Sequence, residues 1–180
     1  FAGWNFSEED ASFQKLAKVG YAAGVPMGGT LEGQSSAKAP GFLVGAIKDP
    51  LSGNLDRIQI VKGWLDREGK THEKVFDVVW SDPHNRTLDK SGALTAVGNT
   101  VNVEDASWTN SIGNAELVGL WHDPEFDAEQ SAVYYARVLE IPTPRWTAYD
   151  KKRLGYEMPE GTKMVIQERA YTSPIWYSAD

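Results

Sequence analysis

The segment Glu140-Ile141-Pro142-Thr143-Pro144-Arg145-Trp146 sets a guanidinium and an indole side by side just beyond an apolar run. A planar cation next to an aromatic plane can clamp a carboxylate, a phosphate or the face of a sugar. Gln167-Glu168-Arg169 offers a second polar cluster of the same kind. Arg145, Trp146, Glu168 and Arg169 are therefore candidate ligand-binding residues. The plainer alternative tucks Trp146 under the following loop and pairs Arg145 with a carboxylate, and it carries the greater weight. A third candidate is the turn Val25-Pro26-Met27-Gly28-Gly29, where the backbone at Met27, Gly28 and Gly29 could cradle a ligand. It has neither the Gly-x-x-x-x-Gly-Lys pattern of a phosphate loop nor a strand before it, so its signal is weak.

The three histidines, His72, His84 and His122, are isolated from one another in sequence. A metal centre would need His84 and His122 brought together with Asp82 or Asp123. Histidines at the surface or at strand ends are the plainer reading. Asp82, Asp89, Asp123 and Asp127 stand in turn sequences without the spacing of a calcium loop, so turn formation is their expected role. No cysteine is present, which excludes disulfides, thiol catalysis and cysteine-ligated metals. There is no Gly-x-Ser-x-Gly elbow and no dinucleotide fingerprint. No complete catalytic set stands out in the sequence, and a self-sufficient enzyme would need His84, His122 and Asp123 brought within coordination distance.

The elements that must position these residues read as mainly β. The chain has 180 residues, which suggests one core of ordinary size. Hydrophobic residues make up 41% and charged residues 24%, a globular balance that excludes a wholly disordered chain. A net charge of −7 with scattered Lys and Arg argues against a nucleic-acid partner. No apolar run is long enough to cross a membrane as a helix.

Phe13, Leu16, Ala17 and Gly20 keep the spacing of an amphipathic helix, with Ser7 as its expected N-cap. Residues 20–41 are rich in Gly, Pro, Ser and Ala, including Gly33-Gln34-Ser35-Ser36, and read as a long loop. Beyond Pro40, short alternating runs between turn residues predict strands at 42–47, 55–65, 71–80, 97–103, 116–122, 132–141 and 170–177. The turn Asp66-Arg67-Glu68-Gly69 closes a hairpin, and the run at 132–141, apolar on both faces, belongs in mid-sheet. Within the hairpin, Ile58, Ile60 and Trp64 share one face, as do Phe76, Val78 and Trp80. A long loop spans 143–163, and Pro174 interrupts the last strand. The expected architecture is an antiparallel β-sandwich, of immunoglobulin-like or jelly-roll-like kind, with one short N-terminal helix. Residues 1–39 form the helix and Gly-rich loop, and 40–180 form the sandwich.

Four runs carry a family resemblance: Gly24-Val25-Pro26-Met27-Gly28-Gly29, Asp56 to Trp64, Tyr134 to Trp146 and Gln167 to Tyr177. In their order and length they resemble the C-terminal part of the bacterial DUF3604 family, over nearly the whole chain. That family is related to the polymerase and histidinol phosphatase (PHP) superfamily of metal-dependent phosphoesterases. Its longer members carry His- and Asp-rich metal motifs in a region N-terminal to the part seen here, often behind a secretion signal. This chain has no His-x-His motif, so no catalytic ligand carries over to any of its positions.

The resemblance implies a non-catalytic C-terminal accessory domain of a metal-dependent hydrolase of phosphoesterase type. The expected partner is an N-terminal PHP-like domain holding a divalent metal. A periplasmic or secreted location is implied, and self-association into a homo-oligomer stays open. The alternative is a carbohydrate- or small-ligand-binding sandwich, which exposed aromatics on one sheet face would favour.

Overall fold

The computed structural model describes residues 1–33 and 38–179, so Gln34, Ser35 and Ser36 of the expected loop lie outside the described residues. The chain runs through β1 (Ala2–Gly3), a single 3-10 turn (Glu8–Asp10), α1 (Phe13–Ala23), β2 (Thr30–Glu32), β3 (Gly41–Ile47), β4 (Leu55–Leu65) and β5 (Thr71–Trp80). It continues through β6 (Glu116–His122), β7 (Ala132–Glu140), β8 (Thr143–Pro144), α2 (Trp146–Leu154), β9 (Val165–Ile166), β10 (Arg169–Tyr171) and β11 (Ile175–Ser178).

Two sheets face one another. The smaller has the order β1-β3-β6, and the larger has β2-β11-β7-β4-β5, with β10 also on β7. Every pairing is antiparallel except β2 with β11, so the larger sheet is mixed. Residues before Pro40 thus supply one strand to each sheet. The mid-sheet expectation for β7 holds, because it is flanked by β4 on one side and by β10 and β11 on the other.

The period of two sends Ile58, Ile60 and Trp64 of β4 to the inner face, against Phe42 and Trp121 of the smaller sheet. Among the larger core side chains, Ile58, Ile60, Val61, Leu43 and Ile141 are each 1% exposed or less. Helix α1 lies on the outer face of the smaller sheet, where a side chain at Gly45 would come within 3.0 Å of Leu16 and 3.2 Å of Phe13.

The β4–β5 hairpin turns as expected. Asp66 Oδ1 accepts the amides of Glu68 and Lys70 at 3.0 and 2.8 Å, and Gly69 takes φ of 79°. Its far end departs from simple alternation. Ile58 opposes Val79 while Gln59 opposes Asp77, so Val78 is an extra residue in β5. This bulge leaves Phe76, Val78 and Val79 all packed toward the core and turns Trp80 to the opposite face. The expectation that Phe76, Val78 and Trp80 share a face is corrected accordingly.

Three other expectations change. Ser7 caps only the 3-10 turn, its amide and its hydroxyl both donating to Asp10 Oδ2 at 2.9 Å, and α1 starts afresh after Ser12. The expected loop at 143–163 contains α2, which stops at Gly155 with φ of 68° after Lys151, Lys152 and Arg153 in its last turn. Only Thr147 and Ala148 of α2 are buried, so it lacked the apolar stripe that marks a helix in sequence. Residues 97–103 form no strand, only a turn closed by the bridge between Asn102 and Ser107. The expected interruption at Pro174 is seen, the last run being divided into β10 and β11, which share β7 as a neighbour.

Candidate functional site: a cation-lined cleft beside the larger sheet

The two-residue ladder β8–β9 clips the segment after β7 to the segment before β10. The clip is reinforced by the Arg145 amide donating to the Met164 carbonyl at 2.9 Å and the Thr147 hydroxyl to the Lys163 carbonyl at 2.6 Å. Between these segments opens a cleft of about 520 Å³. Arg145, Lys163, Gln167, Glu168 and Arg169 line it, so three cations face one carboxylate. Among the described residues, none of the three cations forms an ion pair. Three basic residues lining one open cleft without an ion-pair partner among the described residues favour an anion there.

Gln167 is the fixed point of this wall. Its amide nitrogen donates to Asp56 Oδ2 at 3.0 Å and to the Glu140 carbonyl at 2.9 Å. Asp56 is in turn held by Arg86, whose guanidinium reaches Asp56 Oδ1 at 2.6 Å, Ser81 Oγ at 2.9 Å and the Thr95 carbonyl at 2.9 Å. The cleft is therefore anchored to a buried polar network reaching into the loop after β5. Arg57 lies 3.6 Å from Asp56 and 3.5 Å from Asp77, with its Nε buried and lacking a hydrogen-bond acceptor.

Trp146 does not tuck under the following loop. It is 61% exposed, with the Arg145 guanidinium 5.5 Å from its ring centroid. The structure thus brings Arg145, Glu168 and Arg169 to one cleft, with Trp146 next to Arg145 in the chain. Met27, Gly28 and Gly29 are not lining residues of this cleft. The Gly28 amide donates to the Pro174 carbonyl at 2.7 Å and the Gly29 amide to the Pro26 carbonyl at 3.0 Å, so both amides are already engaged. Met27 lines a separate apolar cavity.

His72, Asp89, Asp123 and Asp127 each have local partners, and Asp82 accepts from the Asn85 side-chain amide at 2.9 Å. His72 stacks on Trp64 and bonds Asp66 at 2.7 Å, and this bond, followed by the Lys70 amide, holds the Asp66 carboxyl below its ordinary range. Asp89 and Asp127 accept turn amides as expected. Asp123 does so too, from Glu125 at 2.9 Å, but it also meets Lys62 at 2.5 Å and the Tyr134 hydroxyl at 2.8 Å inside the protein. Among the described residues, no three His, Asp or Glu side chains are grouped to hold a metal ion.

Sequence reasoning missed Lys163, and it placed Gln167 in a polar cluster without giving it the anchoring role. Lys163 had no signal, being one basic residue in an apparent loop. Lys62 did have one: it falls between Ile60 and Trp64 on the inward phase of β4, where a charge needs a buried partner.

Together these features define a mixed-sheet β-sandwich with a cation-lined cleft at one side. The chain belongs to the DUF3604 family, described as a protein of unknown function, whose model matches residues 1–179. Neither a curated protein nor a solved structure matches it. No helix among the described residues is long and apolar enough to cross a membrane.

Proposed function

We propose that this chain is an accessory module of a larger PHP-like, metal-dependent hydrolase of phosphoesterase type, and that its cleft holds an anionic group of the substrate. The observation that supports this reading is that Arg145, Lys163 and Arg169 line one cleft and, among the described residues, none of them forms an ion pair. The divalent metal and the reacting groups belong to the partner domain, and this module contributes binding and orientation. Metal content and phosphoesterase turnover, measured side by side on the 180-residue chain and on the full-length protein, test it. The expected result is metal and turnover in the longer protein alone, with Arg145→Ala and Arg169→Ala raising KM. Turnover by the 180-residue chain would overturn it.

A second reading, a sugar-binding module, is favoured by the outer face of the larger sheet. Tyr171 and Trp176 are 57% and 54% exposed, and their registers on β7 place them on the same face as Arg137 and Val133. Aromatic planes beside guanidinium groups suit pyranose rings and their hydroxyls. Binding of neutral oligosaccharides that is lost in Trp176→Ala and kept in Arg169→Ala would select this reading over the first.

A further inference from the structure

A cavity of about 230 Å³ opens at one side between the two sheets, where Phe1 and the α1 residues Leu16 and Tyr21 also line it. Its deep walls are aliphatic and aromatic: Val44 and Phe42 from β3, Ile58 and Ile60 from β4, Ala136 and Val138 from β7. Val44, Ala136 and Val138 are only half-buried, so the space opens between the sheets above the fully buried Ile58 and Ile60. Ala136 presents only a methyl group in the middle of β7, which leaves the volume unfilled. The buried core correspondingly divides into a cluster around Phe42 and Tyr134 and a second around Ile58 and Leu117.

The rim differs from the walls. Tyr21 and Met27 stand there, 71% and 59% exposed, and Thr172 and Ser173 supply hydroxyls where the chain bows between β10 and β11. The Thr172 hydroxyl oxygen already accepts the Ala136 amide at 3.0 Å, and Ser173 is exposed. A mainly apolar interior with two hydroxyls at its mouth suits a ligand polar at one end. Apolar cavities of ~150 Å³ stay dry and take up a molecule the size of benzene, so this one has room for a ring or a short alkyl chain. The aliphatic side chains at its depth favour the alkyl chain.

We infer that this cavity is a binding site for a short alkyl chain carrying one hydrogen-bonding head group, with the head at the Thr172–Ser173 rim and Met27 over the mouth. This site does not rest on the accessory-module reading and stands if that reading fails.

Calorimetric titration of the 180-residue chain with 1-octanol, and separately with 1,8-octanediol, tests the inference. Octanol is expected to bind saturably at one site. The diol, which must bury a second hydroxyl without a partner, is expected to bind at least about tenfold more weakly. Ala136→Phe, which fills the space, is expected to abolish octanol binding while leaving circular dichroism unchanged. If Ala136→Phe does not fold, Val138→Leu takes its place and must weaken octanol several-fold. No saturable binding, equal binding of the diol, or unchanged binding by the filled variant overturns the proposal.

Discussion

Arg86 and Asp56 form an ion pair of 2.6 Å with side chains only 6% and 2% exposed, and the Asp56 carboxylate also accepts from Gln167 in the wall of the cleft. Binding geometry at one side of the sandwich thereby depends on an arginine in the loop after β5. Two charges taken from water need each other, and removing one leaves the other buried and uncompensated.

Arg86→Met is accordingly expected to cost about 3–5 kcal/mol in urea denaturation. Adding Asp56→Asn removes the stranded charge and should restore part of that loss, giving a non-additive double-mutant cycle. Additive effects would show that the pair does not act as a unit.

The Tyr134 phenol is raised far above its ordinary value, first by burial and then by the negative charge of Asp123, to which it donates a hydrogen bond. The folded chain keeps that proton at a pH where the unfolded chain releases it. The stability it confers is therefore complete below about pH 10 and falls as pH rises beyond. Denaturation between about pH 9 and 11 should show the decline, and Tyr134→Phe should flatten its slope while costing about 1–2 kcal/mol at neutral pH. Tyr177, raised by burial and by Asp127, leaves a smaller residual slope.

Two glycines with similar backbone angles should differ sharply on substitution. Gly69 has φ of 79° with open space around it, whereas Gly113 has φ of 75° and an added Cβ would lie 2.7 Å from Ile141 and 2.8 Å from Asn54. Gly69→Ala is expected to cost about 1 kcal/mol from backbone strain alone. Gly113→Ala adds a clash with the core and should cost at least about 2 kcal/mol by thermal melting. Equal losses would mean that the space around Gly113 yields.

Trp146→Ala should leave stability within about 0.5 kcal/mol, because an exposed side chain loses little on truncation. It should nevertheless weaken binding of a phosphate monoester in the full-length protein, with Arg145→Ala and Arg169→Gln weakening it further and in a salt-dependent way. Unchanged ligand affinity in all three would remove the cleft from consideration.

The strands were legible wherever local rules agree with global packing. The β4–β5 hairpin shows this: turn chemistry at Asp66 and Gly69 coincides with alternation on both sides. Where a long-range partner decides, the sequence was mute. Nothing near Val78 announces a bulge, because the bulge accommodates packing against Gly119 of β6, where a Cβ would meet Val79 at 2.6 Å. α2 announced its end through three basic residues and Gly155 but hid its body, since a helix lying on the surface by two residues has no apolar stripe to read. In the cleft, Arg145, Glu168 and Arg169 were legible as residue types. Their convergence was not, because it depends on the β8–β9 clip, two residues long on each side.

The position of β11 between β2 and β7 has a consequence for how the molecule assembles. Trp176 sits opposite Thr30 and Tyr177 opposite Leu31, so stretches from distant parts of the chain meet in one parallel pair. Leu31 stays exposed until the strand at Ile175–Ser178 arrives. Such late, non-local closure slows folding relative to a fold of local contacts. During synthesis on the ribosome, the larger sheet can be sealed only after nearly all of this chain has emerged, and until then its β7 edge is open to the wrong neighbour.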